Sequence, residues 1–331
     1  NHVIHVTEEM MEELRAVIEK TFTNTTGMII VHKGKKVFEE YFNECNENTA
    51  LHVFSVTKSI MGLLIGKAIE EGKIQSIDDK LLSFFPEYLI KTKEETLQQV
   101  TLKDLLTMTV PYRYKFNPYT KYFSAEDQVL FSLKQVGGKF GKLGDFRYSP
   151  LIGPDILSGI IWNVSGMSVK EYAKQTLFEP LGIGEKADIC FASKDEQMDY
   201  YKRTDYNGWV CDRKGNYNAG WGLHLTAREM AAIGEMMRNH GVYDGKPILS
   251  EDWIIDSTTA KINHTGMPAM YGYLWWIIDG KERAYAALGD GGNTIYVNES
   301  KELVVVINGK FRPREKDRIG FIRDVIEDKV D

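Results

Sequence analysis

Ser55 and Lys58 stand three residues apart, and this pair could perform nucleophilic chemistry. Residues at i and i+3 share a helix face, so the hydroxyl and the amine can meet. A serine hydroxyl becomes a useful nucleophile when a neighbouring base takes its proton, and a lysine can be that base if burial lowers its pKa. A helix N-terminus adds positive potential and free N–H groups that can bind an oxyanion. The pair therefore indicates a serine nucleophile activated by a lysine.

The same two residues also have a purely structural interpretation. Ser55 would then cap a helix and Lys58 would be a solvated side chain. The apolar residues Ile60, Met61 and Leu63 to Ile65 follow directly, which predicts a helix that runs to about Glu71. This stretch alone leaves both interpretations open.

Composition excludes several classes of protein. The 331 residues are 43% hydrophobic and 27% charged, which is typical of a globular chain with a large core. The net charge of −6, without a basic block, argues against nucleic acid as the main partner. The longest apolar run has the size of a strand, so no transmembrane segment is expected. The chain begins at Asn1 rather than Met, and the compartment and the oligomeric state stay open.

Metal and redox sites are not expected from the sequence. The seven histidines are scattered and none has zinc-type spacing. No glycine-rich phosphate loop follows a strand, so neither a nucleotide nor another cofactor is predicted. Cys45, Cys190 and Cys211 are odd in number and far apart, so they form no metal or redox pattern, and a disulfide framework is not expected.

The order of predicted elements indicates an α+β fold. Strands are expected at both ends of the chain, with a mostly helical middle and a last helix over about 313–330. The predicted strands are 28–31, 37–42, 274–278, 285–288, 294–297 and 303–307. The simplest arrangement joins them into one antiparallel sheet covered by the terminal helices. Residues 1–75 and 222–331 would form this sheet domain, 76–221 an inserted helical domain, and a cleft would lie between the two.

Two aromatic stretches could form walls of that cleft. Tyr112 and Tyr114 belong to the irregular segment 111–125, and Trp209 belongs to a second tyrosine-rich stretch that starts at Tyr200. Long ordered loops in compact domains often carry function, but these rings could equally cover the helical core. Both roles stay open.

Three motifs in order resemble those of the serine β-lactamase and penicillin-binding-protein superfamily. Ser55–Lys58 resembles the first motif, Phe146–Ser149 the second, and Gly289–Asn293 the third. The resemblance extends from about residue 25 to 310. It is closest to the class C β-lactamase-like branch, which includes esterases, D-amino-acid peptidases and amide hydrolases. It implies that branch's antiparallel sheet with an inserted helical domain.

The resemblance also implies roles for single residues. Ser55 would be the nucleophile, Lys58 would help to deprotonate it, and Tyr148 would share the general-base role and protonate the leaving group. The backbone N–H groups of Ser55 and Asn293 would form the oxyanion hole. Substrate contacts are expected from Asp290, Gly291, Gly292, Tyr112, Tyr114 and Trp209.

Two departures from the family pattern bear on the substrate. Pro150 replaces the usual Asn or Asp of the second motif, and Asp290 stands where the third motif usually has Lys or His. An aspartate there would repel an anionic substrate, which makes penicillin hydrolysis less expected and favours a neutral or amine-bearing one. The leading hypothesis is a serine acyl hydrolase acting on a small ester or amide. The alternatives are a D,D-peptidase, penicillin-binding protein or weak β-lactamase, and a non-catalytic ligand-binding member of the fold.

Overall fold

A computed structural model describes residues 2–91 and 93–330. Its main feature is an antiparallel eight-stranded sheet. The strands of this sheet are β1 Thr25–His32, β2 Lys35–Tyr41, β9 Ile262–Asn263, β10 Met270–Tyr271, β11 Trp276–Asp279, β12 Ala284–Gly289, β13 Asn293–Asn298 and β14 Leu303–Gly309. They lie in the order β2-β1-β14-β13-β12-β11-β10-β9. Pairing of β1 with β14 joins the two ends of the chain, so the predicted α+β class is confirmed.

The central strands of this sheet are buried on both faces. In β1, Met28 and Ile30 pack with the N-terminal helix α1 (Glu8–Thr21), whereas Ile29 and Val31 point into the large core on the other side. This alternation follows from the two-residue period of a strand. The terminal helices thus shield one face of the sheet and leave the other face for the elements that carry the site.

The remaining helices lie mainly in the middle of the chain. They are α2 Val56–Glu70, α3 Pro86–Lys91, α4 Glu95–Gln99, α5 Leu102–Leu106, α6 Tyr119–Ser124, α7 Gln128–Gln135, α8 Pro154–Ser165, α9 Val169–Ala173, α10 Glu179–Leu181, α11 Lys194–Tyr200, α12 Ala227–Arg238, α13 Glu251–Ser257 and α14 Ile319–Phe321. Short 3-10 or π turns cover Leu81–Phe84, Lys174–Phe178, Ile322–Ile326 and Glu327–Lys329. Within the described residues, no helix is long and apolar enough to cross a membrane.

Six short strands pair outside the main sheet. They are β3 Ala50–His52, β4 Ala187–Ile189, β5 Gly208–Val210, β6 His224–Thr226, β7 Val242–Tyr243 and β8 Lys246–Pro247. Of these, β3 pairs with β6 directly before α2 begins, so the segment that precedes β6 lies beside the start of α2.

Helix α2 is the buried centre of the molecule. Most of its residues are inaccessible to solvent, because it packs between the sheet, α8 and α13. Gly66 permits this packing, since a Cβ at that position would lie 2.1 Å from the Trp253 ring. The element that carries Ser55 and Lys58 is therefore held from several sides.

The last helix is shorter than the sequence predicts. Helical structure begins at Ile319 rather than near Pro313, because Arg318 turns inward and donates to Glu315 and to Asn24 (3.0 Å) instead of continuing an exposed helical face. The strands β9 and β10, at the edge of the sheet, were not predicted either. The division into domains at 75/76 and 221/222 stays a prediction.

Candidate active site

The start of α2 brings Ser55 and Lys58 together. Lys58 Nζ donates to Ser55 Oγ at 2.9 Å. Ser55 occupies the N-cap position, but its side chain makes no capping bond, whereas the cap hydroxyls of Thr101 and Thr226 accept backbone N–H groups. Lys58 is only 2% exposed. The alternative in which Ser55 is a helix cap and Lys58 is solvated is therefore wrong, because the hydroxyl is directed at a buried amine.

Burial tunes the Lys58 amine toward neutrality. It lowers the pKa of Lys58 to about 7, and the charges of Asp290 and Asp155 oppose this shift only in part. Desolvation acts this way because a charged ammonium loses more hydration than a neutral amine. A large fraction of Lys58 is thus uncharged at pH 7 and has a lone pair that can accept a proton.

Tyr148 lies on the other side of the lysine. Lys58 Nζ is 5.0 Å from the centre of the Tyr148 ring, and the half-buried Tyr148 packs against Trp276 with ring centres 5.6 Å apart. Burial raises the pKa of Tyr148, while a hydrogen bond with Ser55 works in the opposite direction. The structure therefore brings the three expected catalytic side chains together, with the tyrosine protonated.

A backbone carbonyl accepts a second hydrogen bond from the Lys58 amine. Lys58 Nζ donates to Gly220 O at 2.7 Å, and Gly220 packs directly on Pro150, where a Cβ would lie 2.4 Å from the proline carbonyl oxygen. Pro150 has no side-chain acceptor, so this backbone acceptor satisfies the amine beside it. This contact could not be predicted from the sequence, because Gly220 is 162 residues away from Lys58.

A buried polar network fixes the segment that contains Gly220. Asp155, near the start of α8, accepts from the N–H of Ala219 at 2.9 Å and from the side chains of Asn218 (3.2 Å) and Tyr122. Burial raises the pKa of Asp155 to about 7. Sequence reasoning missed this group, because an acid in the first turn of a helix is ordinarily explained by the helix dipole.

The turn between β12 and β13 approaches the Ser55 amide through Gly289. A Cβ on Gly289 would lie 3.0 Å from Ser55 N, so only glycine permits this contact without a shift. Asn293 is fully buried, and its side chain donates to Asp290 O at 2.7 Å and to Gly309 O at 3.1 Å. Asn293 thus braces the turn, and its role as an oxyanion donor stays a prediction.

The three residues at the tip of this turn differ in exposure. Gly291 and Gly292 are buried with φ of +84° and +78°, and a Cβ on Gly292 would meet the Arg318 guanidinium at 2.5 Å. They shape the turn, and their expected contact with the substrate stays a prediction. Asp290 is exposed, and its charge acts on Lys58, Tyr119 and Tyr148.

The expected aromatic walls are in the interior instead. Trp209 has no exposed surface and donates from Nε1 to Asn218 O at 2.8 Å, so it belongs to the core. Tyr112 is 2% exposed and stacks on Tyr114 with ring centres 5.4 Å apart. Both tyrosine rings contact the Arg147 guanidinium, at 5.2 and 4.8 Å from their centres. They brace the residue before Tyr148, and the expectation of direct substrate contact is not met by Tyr112 or Trp209.

Other rings surround Ser55, Lys58 and Tyr148, the three expected catalytic residues. On one side Phe54, the neighbour of Ser55, contacts Tyr201 and Phe311, with ring centres 5.4 Å away in both cases. On the other side Tyr148 contacts Trp276. The tyrosine-rich stretch from Tyr200 did signal one wall, but through Tyr201 rather than Trp209. Trp276 and Phe311 carried no signal, since single aromatic residues in or after a strand are ordinary core residues.

Comparison with known proteins shows the same fold in several hydrolases. A 6-aminohexanoate-dimer hydrolase of Paenarthrobacter ureafaciens is 21% identical over 322 residues, which covers 89% of this chain and 74% of that protein. The structure of a putative 6-aminohexanoate-dimer hydrolase from Bacillus anthracis has a TM-score of 0.72 at 22% identity, covering 96% of this chain and 80% of the other. The structure of EstA from Arthrobacter nitroguajacolicus Rue61a has a TM-score of 0.71 at 13% identity, covering 99% of this chain and 98% of the other.

The match to a family model extends over nearly the whole chain. The model described as Beta-lactamase matches residues 14–325, which include all three motifs. Together with the relatives named as hydrolases, this match supports a serine hydrolase. The protein belongs to the Beta-lactamase family.

Proposed function

We propose that the protein is a serine acyl hydrolase that cleaves a small ester or amide through an acyl-enzyme on Ser55. The observation that carries this proposal is the buried amine of Lys58, which lies 2.9 Å from Ser55 Oγ and whose pKa burial lowers to about 7. A general base works best when its pKa is near the working pH. A solvated lysine would be protonated at neutral pH and could not accept the serine proton.

Acylation uses the three side chains in turn. Lys58 takes the proton of Ser55 Oγ while the oxygen attacks the substrate carbonyl carbon. The tetrahedral intermediate collapses as Tyr148 gives its proton to the leaving alcohol or amine, and the proton on Lys58 then restores Tyr148. This order places the base on Lys58 rather than on a tyrosine phenolate, because a largely neutral amine offers little charge to stabilise a phenolate.

Deacylation returns the enzyme to its starting state. Lys58 takes a proton from water, the resulting hydroxide attacks the acyl carbon, and Ser55 leaves with that proton as the free hydroxyl. Both steps develop negative charge on the carbonyl oxygen. The N–H of Ser55 is one donor for this charge, and the Gly289–Asn293 turn is the place for a second, each typically worth about 3 kcal/mol. Asn293 is the donor that we propose, and the contact of Gly289 with Ser55 N supports this turn as its location.

The charge of Asp290 supports a substrate without a carboxylate near the scissile bond. Its carboxylate is exposed beside the catalytic side chains, and none of the described Lys or Arg residues forms an ion pair with it. It would repel a carboxylate and attract an ammonium group. Two relatives are named as hydrolases of the 6-aminohexanoate dimer, a short amide. We propose an ester or amide with a neutral or amine-bearing acyl part.

Intact-mass spectrometry after exposure to an active-site acylator tests the proposal. A fluorophosphonate should add once to the wild-type chain and not to Ser55→Ala. Ser59→Ala is the matched control, because Ser59 lies on the same helix but donates to Leu274 O, away from Lys58. This variant should be labelled like the wild type.

Penicillin in a parallel sample separates the related alternatives. A stable penicillin adduct on Ser55 would indicate a D,D-peptidase or penicillin-binding protein instead of a general hydrolase. If neither reagent labels the wild-type chain, the catalytic proposal fails, and the alternative of a non-catalytic ligand-binding protein should be tested next.

A further inference from the structure

Cys190 and Cys211 are 21 residues apart in the sequence but adjacent in the fold. Strands β4 and β5 are parallel, with Ile189 opposite Val210, so the next residue of each strand is a cysteine facing the other. The two Sγ atoms are 3.1 Å apart. Neighbouring strands lie about 4.8 Å apart, which falls within the range of Cα separations that a disulfide spans.

We propose that Cys190 and Cys211 are an oxidisable pair. They form an intramolecular disulfide by exchange with a small disulfide such as oxidised glutathione. The Cys190 thiolate attacks one glutathione sulfur, forms a mixed disulfide and releases one glutathione thiol. The Cys211 thiolate then attacks Cys190 Sγ and releases the second. Two protein thiols are oxidised and one glutathione disulfide is reduced, so atoms and electrons balance.

Exposure assigns the order of these two steps. Cys190 is exposed, so a small disulfide can reach it, whereas Cys211 is only partly accessible. Burial and the neighbouring thiol raise the pKa of Cys211. The first attack therefore belongs to Cys190 and the closing attack to Cys211.

The bond would close the base of a loop that walls the active site. The loop contains α11 and Tyr201, whose ring lies 5.4 Å from that of Phe54 beside Ser55. It is otherwise held at its base by strands of only three residues. A covalent link there restricts the unfolded chain and stabilises the loop against local opening.

Cys45 provides an internal control. It is half-buried near β2, and its Sγ donates to Asn43 O at 3.5 Å. Among the described cysteines, Cys45 is the one without a neighbouring thiol. It should therefore remain a thiol when the other two are linked.

Intact mass and a peptide map without reductant test the pair directly. After exposure to oxidised glutathione, wild type and Cys45→Ser should each lose the mass of two hydrogen atoms and yield one cross-linked peptide with Cys190 and Cys211. Cys211→Ser should instead retain one glutathione on Cys190. A wild-type chain that keeps a stable glutathione on Cys190, or forms a cross-link through Cys45, would overturn the proposal.

Thermal unfolding tests whether the bond holds the loop. The oxidised wild type should melt about 4 °C above its reduced form, as expected for a closed loop of this length in a chain of this size. Cys211→Ser should show no such rise. Equal melting temperatures of the oxidised and reduced wild type would refute the stabilising role. Neither readout depends on hydrolase activity, so this proposal and the proposed function can fail separately.

Discussion

Two buried titratable groups lie on either side of one short backbone segment, and burial shifts them in opposite directions. The pKa of Lys58 is lowered to about 7, and the pKa of Asp155 is raised to about 7. Asp155 accepts from Ala219 N, and Lys58 donates to the carbonyl of Gly220, the next residue. The same physical cause, loss of hydration, thus makes an amine less basic and a carboxyl less acidic.

The two groups differ in what they can reach. Asp155 is enclosed by Tyr122, Asn218 and Ala219, and hydrogen bonds from these groups stabilise its charged form. Lys58 is as deeply buried, but its amine touches the accessible hydroxyl of Ser55. A perturbed pKa therefore identifies a buried group, and only contact with a reacting atom makes it catalytic. In the proposed mechanism Lys58 performs chemistry and Asp155 positions the segment that holds it.

Replacing the amine should give the largest effect on activity. Lys58→Met keeps the shape of the side chain but removes the base, so kcat/KM on a p-nitrophenyl ester should fall by about 10³-fold. Lys67→Met, on the same helix but bonded to Ile248 O, should retain activity. In the wild type, kcat/KM should fall as the pH drops through about 7, because the protonated amine cannot accept a proton. A profile that is flat from pH 5 to 9 would contradict a lysine base.

The same substitution should make the fold more stable at neutral pH. Between pH 7 and 10.5 the unfolded chain binds a proton at Lys58 that the folded chain largely does not, so the unfavourable contribution of Lys58 to wild-type stability decreases as the pH rises across this window. With a pKa of 10.5 in the unfolded chain and about 7 in the folded chain, the cost is about 4 kcal/mol at pH 7. Lys58→Met removes this cost but also the hydrogen bonds to Ser55 and Gly220, so we expect the free energy of unfolding to rise by about 2 kcal/mol at pH 7. Urea unfolding at pH 7 and pH 10 measures the difference in the free energy of unfolding between Lys58→Met and the wild type, and this difference should be smaller at pH 10. If this difference were the same at both pH values, the pKa of Lys58 would be an ordinary one.

The contact between Ser55 and Lys58 could be predicted from local spacing in the sequence. Ser55 and Lys58 are three residues apart, so helix geometry alone brings them together. The strand pattern over 294–297 and 303–307 was equally local, and β13 and β14 lie there. Tyr148 was found through the family resemblance rather than through its own spacing.

The contacts of Gly220 and Asp155 could not be predicted, because they join distant parts of the chain. Gly220 meets Lys58 only after β3 pairs with β6, and Asp155 meets Ala219 across 64 residues. Trp209 was misassigned for a related reason. Its flanking tyrosines suggested a surface, but the short strand β5 turns its ring into the core. Sequence spacing determines neighbours on one element, whereas tertiary packing decides which side chains face the cleft.

Asp155→Asn should have a smaller effect and should act through Lys58. The amide keeps an acceptor for Ala219 N–H but presents a donor to Tyr122 and Asn218, so we expect a loss of about 10-fold in kcat/KM. Because the Asp155 charge raises the pKa of Lys58, its removal should move the acid limb of the pH profile to lower pH. Asp212→Asn alters the neighbouring contact with Gln128 N and should leave the limb in place. A lower rate with an unmoved limb would reduce Asp155 to a structural role.

Asp290 should give the smallest effect, and it tests selectivity rather than rate. Because its carboxylate is exposed, solvent screens it, and we expect Asp290→Asn to change kcat/KM by only about 3-fold. At pH 9, where Lys58 is largely uncharged with or without the Asp290 carboxylate, the direction depends on the substrate. Hydrolysis of a p-nitrophenyl ester with an amine-bearing acyl group should slow, that of a succinate monoester should accelerate, and that of a butyrate ester should stay the same. Glu12→Gln, on α1 beyond the sheet, should change none of them. Since an exposed charge is screened by ions, high salt should narrow the wild-type difference between the charged esters. A uniform change across the three esters at pH 9 would mean that Asp290 affects the turn and does not select the substrate by charge.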